Sequence, residues 1–431
     1  MNLAPPDSVR KLQETLHAKA KSVPTYRFYA LYDKVYRMDM LTHAYWCCAA
    51  NAGAPGVDGV TFAAIEKAGL EAWLGTLAEE LRTKTYRPQA VRRVWIPKPD
   101  GKQRPLGIPT VKDRVVQMAV VLVLGPIFEA DLPPEQYAYR PERSALDAVR
   151  HVQRLLSQGY TDVVDADLSG YFDSIPHAEL LKSVARRVSD GRLLALLKQW
   201  LETPVAETDE RGRTQRTTQN RDTGRGTPQV SPVSPLLANV YMRRFLLGWR
   251  QLGHEQRWEA RIVNYADDFV ICCRGHAEEA LAAMRDMMTQ LKLTVNERKT
   301  RRCRLPDERF DFLGYTFGRW YRYDTGQAYL GVRPSAKAVR RIMQTVHDAT
   351  SRKWRYCTLT DMVANLNERL RGWANYFRLG SVGKAYRRVD EHARQRLRQW
   401  WCGKQQLPGQ GTAQLSAESL YGTLGLVRLQ P

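Results

Sequence analysis

Two acidic segments of the chain have the residue types and spacing expected for ligands of a divalent metal ion. Asp165 and Asp167 close a predicted strand over 161–167, in which alternate residues share one face. Asp267 and Asp268 lie in a predicted tight turn between two apolar runs over 261–273. Carboxylates on neighbouring strands hold the Mg²⁺ ions of phosphodiester-forming sites, where substrate phosphates complete the coordination. The two segments therefore predict a metal-dependent site for phosphodiester chemistry.

The alternative for the Asp267-Asp268 pair is an ordinary turn, because aspartate side chains hydrogen-bond readily to nearby backbone. For an isolated pair that interpretation would be preferred. Here the flanking runs are almost continuously apolar, which predicts buried strands. Buried strands that end in paired carboxylates need a compensating charge, and a metal ion is the usual one. The sequence therefore favours the metal site.

The chain is strongly basic, with 66 Lys and Arg against 45 Asp and Glu in 431 residues and a net charge of +21. Such a charge favours a polyanionic partner; a merely basic protein is the alternative. Residues 333–404 hold 17 Lys and Arg against 5 Asp and Glu, with aromatic residues among them. This segment predicts a helical module that binds nucleic acid, and most of its aromatic residues are expected to form the core.

The cysteine pattern and the apolar stretches exclude several other classes of protein. The seven cysteines are scattered without a C-x-x-C pair, and no secretory signal is evident. We therefore expect reduced thiols, no zinc, and a cytoplasmic protein that, given its charge, associates with nucleic acid. The longest apolar stretch, 115–128, is interrupted by Gln117, Gly125 and Pro126 and is too short to span a bilayer. It predicts a buried helix, so no membrane partner is expected.

Periodicity and turn residues predict a mixed α+β chain. Helices are predicted over 65–84, 111–128, 144–156, 276–291, 335–352, 359–377 and 384–400, and after Pro176 and Ser234. Strands are predicted over 90–96, 161–167, 261–273, 312–317 and 328–332, and 203–226 is expected to be polar and rich in turns. The first strand runs into a Pro-Asp-Gly turn, which predicts a hairpin with Lys98, Lys102 and Arg104 at or beside its tip.

The acidic turn and several other segments together resemble one protein family. Tyr265-Ala266-Asp267-Asp268 matches the Y-x-D-D box of reverse transcriptases, with the alanine usual in group II intron-encoded enzymes. Segments that resemble the family's other blocks follow in the family's order: 93–117, 137–144, 226–229, 234–239, 312–315 and 359–377. The chain thus resembles a group II intron-encoded reverse transcriptase and maturase over about residues 50–400. Only a short segment follows Lys404, so we expect no endonuclease module.

The resemblance implies an α+β, right-hand polymerase with fingers, an antiparallel-sheet palm and a basic helical thumb, the maturase X domain. It divides the chain into an N-terminal extension with fingers (1–115), a palm with the remaining fingers (116–332), a thumb (333–404) and a short C-terminal segment (405–431). The implied activity is RNA-directed DNA synthesis from dNTPs with two Mg²⁺ ions, or Mn²⁺ instead. The implied partners are an RNA template, a DNA primer or target, and an intron RNA whose splicing and mobility the protein assists.

The resemblance also assigns roles to individual residues. The implied metal ligands are Asp167, Asp267, Asp268 and the carbonyl of Leu168, and Lys299 would protonate the leaving pyrophosphate. Nucleotide contacts are implied for Lys98, Arg104, Leu168, Phe172 and Gln229. Phe172 would fill the space of a ribose 2′-hydroxyl and so favour dNTPs. The implied primer grip is Phe312, Leu313, Gly314 and Tyr315. Asp165 and Asp173 are expected to support the site without binding metal.

One departure from the family's pattern lies beside the nucleotide pocket. The family usually has two glycines after the residue that corresponds to Gln229, whereas this chain has Val230-Ser231-Pro232. A β-branched side chain there would crowd the templating base. This observation supports one alternative, a non-catalytic RNA-binding maturase. The others are a domesticated host reverse transcriptase in defence or repair, and an RNA-dependent RNA polymerase, against which Phe172 argues.

Overall fold

The computed structural model describes residues 3–97, 101, 103–209, 211–228, 230–322, 324–407 and 415–430. Its strands are β1 (Val91–Pro97), β2 (Gln103–Ile108), β3 (Asp162–Asp167), β4 (Val205–Thr208), β5 (Thr214–Thr217), β6 (Ala260–Tyr265), β7 (Asp268–Cys273), β8 (Arg301–Arg304), β9 (Phe310–Phe312), β10 (Tyr315–Tyr321) and β11 (Ala328–Pro334).

The helices of the described residues are α1 (Asp7–Ser22), α2 (Tyr32–Val35), α3 (Met38–Ala49), α4 (Phe62–Arg82), α5 (Val111–Glu129), α6 (Ala145–Ser157), α7 (Tyr171–Ser174), α8 (His177–Ala185), α9 (Gly191–Leu201), α10 (Gln219–Thr223), α11 (Ser234–Gln251), α12 (His254–Arg257), α13 (Ala277–Gln290), α14 (Ala336–Ala349), α15 (Leu359–Tyr376) and α16 (Gly383–Gln405). A 3₁₀ turn spans Arg352–Trp354, and a π-helical turn spans Ser419–Thr423. None of these helices has both the length and the apolar composition needed to cross a membrane.

Helix α5 lies in the largest hydrophobic core and confirms the buried helix predicted over 111–128. Thr110 caps its N-terminus, because its side chain accepts a hydrogen bond from the Asp113 backbone N–H. Apolar residues on several sides of the helix, among them Val115, Val120 and Leu124, are completely buried. Helices α1 and α3 pack along α5. The N-terminal helices therefore share one core with helices α8, α9 and α11.

The fingers sheet has the strand order β2-β1-β4-β5. Strands β1 and β2 form the antiparallel hairpin that the sequence predicts, with Pro97 opposite Gln103 beside the turn. Strand β1 also pairs in parallel with β4, which forms a second hairpin with β5. The description of 203–226 as turn-rich was incomplete. Every residue of β5 is exposed, so this strand shows no apolar alternation that periodicity could detect.

The palm sheet has the strand order β6-β7-β3-β8, with antiparallel pairing throughout. Alternate residues of its strands enter different cores. On one face, Val164, Phe269 and Ile271 pack with helices α11 and α13. On the other face, Val163 and Val270 pack with α6 and the β9–β10 hairpin. This alternation confirms the strands predicted over 161–167 and 261–273.

A third sheet, with the strand order β11-β10-β9, connects the palm to the thumb. The sequence predicted one strand over 312–317, and this was wrong because the chain reverses at Leu313 and Gly314, which have φ of 50° and 80°. Strands β9 and β10 therefore pair as a tight hairpin, with Phe312 opposite Tyr315. Two consecutive residues with positive φ are typical of the turns that join antiparallel strands.

Helices α14, α15 and α16 form the thumb, in agreement with the helices predicted over 335–400. Their shared core includes Leu366, Tyr386 and Trp400, whereas Tyr356 is 75% exposed. Most of the thumb's aromatic residues are therefore core, as expected. The C-terminal residues 415–430 return to this core: the Asn367 side chain donates to the Gly425 carbonyl (2.8 Å) and accepts from the Val427 N–H (2.7 Å). The exact domain boundaries stay predictions.

Candidate active site

The acidic residues of the two predicted segments lie together at one end of the palm sheet. Asp167, the last residue of β3, is directly opposite Asp268, the first residue of β7. Ala266 turns the chain between β6 and β7 with a φ of 58°, a conformation that few L-residues adopt. The Asn264 side chain donates to the Ala266 carbonyl (2.8 Å) and so holds this turn. The carboxylates are therefore carried by paired strands.

Asp167 has polar partners from the loop that precedes β8. Its carboxylate accepts a hydrogen bond from Asn296 Nδ2 (2.8 Å), and Lys299 Nζ lies 3.2 Å from both of its oxygens. Its backbone N–H donates to Thr300 Oγ1 (3.3 Å). The Asn296 backbone N–H donates to the Asp167 carbonyl (2.8 Å), so the loop is tied to the end of β3.

Sequence reasoning identified Lys299 in this loop but missed Asn296. The asparagine lies in the same Asn-Glu-Arg-Lys-Thr segment. Its polar type and its position three residues before Lys299 were the available signal. A three-residue spacing alone does not show that both side chains reach the same carboxylate, because the loop between them has no regular period.

The carboxylates repel one another in a partly enclosed cleft. Burial and the neighbouring charges of Asp267, Asp167 and Asp165 raise the pKa of Asp268 to about 6. Burial, followed by the charge of Asp167, also raises the pKa of Asp267, while Arg104 and Lys299 oppose that rise. Asp268 is exposed to solvent, but its pKa stays raised because the other carboxylates lie in the same cleft.

Asp165 contacts the neighbouring strand β8, and its supporting role stays a prediction. Burial raises its pKa to about 6, although the Arg301 guanidinium lies 3.5 Å away and opposes the rise. Arg301 belongs to β8, the palm strand that the sequence analysis did not predict. The contact ties that edge strand to β3.

A cavity of about 480 Å³ contains two of the predicted nucleotide-binding residues, and the charge of Asp267 acts on two of its lining side chains, Arg104 and Tyr139. Arg104 and Phe172 line it together with Tyr139, Val230 and Ser231. The Phe172 and Tyr139 rings meet edge to face, with 6.4 Å between their centroids. Tyr139, whose side chain is 55% exposed, was not assigned a role from sequence although it belongs to the 137–144 block. The cavity therefore brings Arg104 and Phe172 to one wall of the site.

Val230 and Ser231, the departure from the family's pattern, have different environments. The Val230 side chain is 44% exposed and lines the cavity, so it occupies space beside the expected nucleotide position. Ser231 is buried, and its hydroxyl hydrogen-bonds to the Gln117 side chain. Leu168 is also buried and pairs with Val295 across a single β-bridge. The predicted contacts of Lys98 and Gln229 lie outside the described residues.

The predicted primer grip is next to the acidic turn. Tyr265 of the turn and Leu313 of the grip pack in the same apolar cluster. The Tyr376 hydroxyl, at the end of α15, donates to the Leu313 carbonyl (2.9 Å). A Cβ added at Gly314 would lie 3.1 Å from the Phe377 ring, so a side chain there would press on the thumb. The thumb therefore fixes the conformation of this hairpin.

The carboxylates fit a metal site that substrate completes. Among the described residues, no group of three or more His, Cys, Asp or Glu side chains is arranged to hold an ion by itself. Mg²⁺ in phosphate-transfer sites takes only one or two carboxylates, with phosphates and water as its other ligands. Paired Asp167 and Asp268, with Asp267 beside them, supply such a partial set. Burial and then the neighbouring carboxylates raise the pKa values of Asp267 and Asp268, as expected for a site that a cation would complete.

Comparison with known protein families decides what kind of site this is. Residues 96–317, which contain both acidic segments, match the reverse transcriptase (RNA-dependent DNA polymerase) family. This chain belongs to the reverse transcriptases. Residues 339–409 match the maturase-specific domain of group II introns, so the reverse transcriptase carries the domain of splicing maturases. The family confirms the right-hand polymerase fold, RNA-directed DNA polymerase activity, RNA as a partner, and a general dependence on divalent metal.

Similar proteins include bacterial proteins, one of which is encoded in a group II intron. This reverse transcriptase is 33% identical over 344 residues to Protein YkfC of Escherichia coli, covering 71% of the chain and 87% of that protein. It is 34% identical over 167 residues to the group II intron-encoded protein LtrA of Lactococcus lactis, covering 38% of the chain and 26% of LtrA. Among solved structures, telomerase from Candida albicans aligns with a TM-score of 0.44 and 11% identity, over 83% of this chain and 69% of that one.

Proposed function

We propose that this reverse transcriptase extends a DNA primer with dNTPs on an RNA template, using two Mg²⁺ ions or, in their place, Mn²⁺. The observation that supports this most is the register of β3 and β7, which sets Asp167 opposite Asp268, with Asp267 in the adjoining turn. Asp167, Asp267, Asp268 and the Leu168 carbonyl would hold the ions. When bound there, the ions would supply activation of the primer 3′-hydroxyl and stabilisation of the charge that develops on the transferred phosphate.

The chain's own residues bind the nucleotide and supply a proton. Arg104, on the cavity wall, would bind the triphosphate with its forked guanidinium, and Lys98 and Gln229 would complete the nucleotide contacts. The Phe172 ring would exclude a ribose 2′-hydroxyl. Lys299 Nζ, held beside Asp167, would donate a proton to the leaving pyrophosphate oxygen. The grip formed by Phe312, Leu313, Gly314 and Tyr315 would position the primer end.

A second part of the proposal concerns RNA that is bound without chemistry. The match to the group II maturase domain and the excess of cations over 333–404 support binding of an intron RNA, whose splicing and mobility the protein would assist. All seven cysteines are free thiols, which suits the bacterial cytoplasm that we propose as the location.

A non-catalytic maturase is the second candidate, and one observation favours it. The Val230 side chain lies in the nucleotide cavity where the family has the smallest residue. If it blocks the template base, the protein would bind RNA without extending a primer. The carboxylate cluster argues against this candidate, since a site without chemistry has no use for three mutually repelling aspartates.

Primer extension separates the two candidates. Purified wild-type protein is given a DNA primer on an RNA template with Mg²⁺ and either dNTPs or NTPs, and RNA binding is measured in parallel. We expect extension with dNTPs and little with NTPs. Tight RNA binding without any extension would overturn the polymerase proposal and leave the maturase candidate.

A further inference from the structure

A basic groove lies on the protein outside the catalytic cleft. It consists of two adjoining cavities of about 720 and 900 Å³, both lined in part by Gln153 and Leu330. None of the active-site aspartates lines either cavity. The groove reaches Tyr321, about 20 Å along β10 from the primer-grip turn at the usual rise of a strand. We refer to these two cavities as the outer groove.

The palm half of the outer groove is lined by three arginines on or just before helix α6, Arg143, Arg150 and Arg154. Arg150 is paired with Asp147, 2.8 Å away, and that aspartate also caps the helix. Glu142 is the other acidic residue in this half. Cations therefore outnumber carboxylates, although one of them is already paired.

The thumb half is lined by Arg322 and Arg333 of the β10–β11 hairpin region and by Lys384 and Arg387 of helix α16, with Asp324 as its acidic residue. Arg322, Lys384 and Arg387 are exposed, and none has a carboxylate within ion-pair distance in the described part of the chain. Unpaired cations on converging walls repel one another. Together they produce a positive local potential, which favours the binding of an anion.

Contacts of Arg333 and Val332 connect the β10–β11 hairpin to the thumb beside the groove. Arg309 and Arg333 stack on Trp320, with guanidinium-to-ring distances of 4.3 and 4.1 Å, which fixes the direction of Arg333. The Tyr329 side chain interacts with both Arg333 and Ser381. The Ser381 backbone N–H donates to the Val332 carbonyl (3.1 Å), so the start of the thumb is tied to β11. Arg333 is therefore held in one direction, and the strand that carries it is tied to the thumb.

An aromatic residue stands at the edge of this basic surface. Tyr321 lines the thumb half, and its side chain is 59% exposed. Exposed aromatic rings beside cations are typical of sites for single-stranded nucleic acid, where the rings stack on unpaired bases and the cations follow the backbone. Each cavity is far larger than one phosphate group, so a chain of phosphates fits the groove better than a single small anion.

We propose that the outer groove binds a single-stranded segment of RNA while the catalytic cleft holds primer and template. The proposal rests on the proposed function in one respect, namely that RNA is the protein's non-substrate partner. In the groove, the arginines and Lys384 contact phosphates, and Tyr321 stacks on a base. The palm and thumb halves are then joined by one RNA strand.

The test uses the whole chain, with the catalytic cleft occupied by a primer–template duplex. An unlabelled RNA–DNA primer–template duplex is added in excess, and binding of a short fluorescein-labelled single-stranded RNA is followed by anisotropy at several salt concentrations. The groove variant is Lys384→Ala combined with Arg387→Ala. The matched control is Lys182→Ala combined with Lys198→Ala, which removes the same charge from exposed positions on α8 and α9.

We expect the groove variant to bind the labelled RNA about tenfold more weakly than the control variant does. The salt dependence of log affinity should also become shallower, by about 0.7 for each phosphate that the variant no longer neutralises. Tyr321→Ala should weaken binding without changing the salt dependence, because stacking releases no counterions.

Two results would overturn the proposal: equal binding by the groove and control variants, or complete displacement of the labelled RNA by the duplex. Primer extension by each variant is measured alongside as the test of intact folding. If only the groove proposal is wrong, the wild-type protein still extends the primer. If the proposed polymerase function is wrong, the wild-type protein does not extend it.

Discussion

At the scale of single residues, the site is defined by carboxylates that destabilise one another in the absence of metal. Asp268 has a pKa of about 6, against about 3.9 for an aspartate in an unfolded chain. The folded state thus favours the protonated form. Protonated Asp268 therefore makes its full contribution to the free energy of unfolding below about pH 4, and this contribution is lost as the pH rises through about 6.

A pH series of unfolding measurements tests this electrostatic picture. In the presence of a chelator, Asp268→Asn should be more stable than wild type above pH 6, and the difference should vanish near pH 4, because asparagine cannot ionise. Adding Mg²⁺ at pH 7.5 should stabilise wild type more than the variant. Urea denaturation gives the free energy of unfolding at each pH, with and without Mg²⁺. Asp286→Asn, at an exposed position on α13, serves as the control, and equal stabilities of Asp268→Asn and wild type at pH 7.5 would refute the picture.

Phe172 is the residue to which sugar selectivity is attributed. Its ring lines the nucleotide cavity and is braced edge to face by Tyr139. Phe172→Ala should raise the ratio of NTP to dNTP incorporation by about tenfold or more, since the space for a 2′-hydroxyl opens. Single-nucleotide incorporation with matched dNTP and NTP measures this ratio. Phe172→Tyr keeps the ring and should keep the selectivity; an unchanged ratio in Phe172→Ala removes the residue from this role.

At the scale of elements, the strands that carry the carboxylates were predictable because local sequence determines them. The apolar runs around Asp267-Asp268 and before Asp167 have the composition of buried strands, and the turn between β6 and β7 has a short polar sequence. The long amphipathic helices of the thumb were predictable for the same reason.

The elements that were missed depend on distant partners. Strand β8 is Arg-Arg-Cys-Arg, a sequence that suggests a solvated loop; it forms a strand because Cys303 enters the core and Arg302 pairs with Asp162 of β3 (3.0 Å). Strand β4 pairs with β1, more than a hundred residues earlier in the chain. The hydrogen bond between Asn296 and Asp167 was missed for the same reason, because these residues are also far apart in the chain. No local pattern contains the identity of a partner that far away.

The connection between palm and thumb depends on one glycine. Gly380 has a φ of 73°, and a Cβ there would lie 2.0 Å from the Val332 carbonyl oxygen. Gly380→Ala should therefore destabilise the protein by about 2 kcal/mol or more, from backbone strain and this overlap. Gly383→Ala is the matched control, since nothing lies within 4 Å of its Cβ position. Chemical denaturation should show a change in the free energy of unfolding of less than about 0.5 kcal/mol for the control. Similar losses of stability in both variants would contradict the importance of Gly380 for this connection.

At the scale of the whole molecule, positive and negative charge are concentrated in different regions. The net charge of +21 is concentrated in the thumb, while the palm presents a small negative cluster. In the proposed function, the positive field would attract nucleic acid, and the acidic cluster would set the point at which metal and triphosphate meet. Binding and chemistry are therefore separable: a change in the cluster should stop synthesis and leave RNA affinity almost unchanged.

Single-nucleotide extension of a DNA primer on an RNA template with Mg²⁺ tests this separation, comparing wild type, Asp267→Ala and the control Asp286→Ala, with RNA affinity measured on the same samples. We predict that Asp267→Ala lowers the extension rate by about a thousandfold, while RNA affinity and the control's rate stay near wild type. If Asp267→Ala extends the primer as fast as Asp286→Ala does, the carboxylate cluster at the end of β3 and β7 is not the catalytic site.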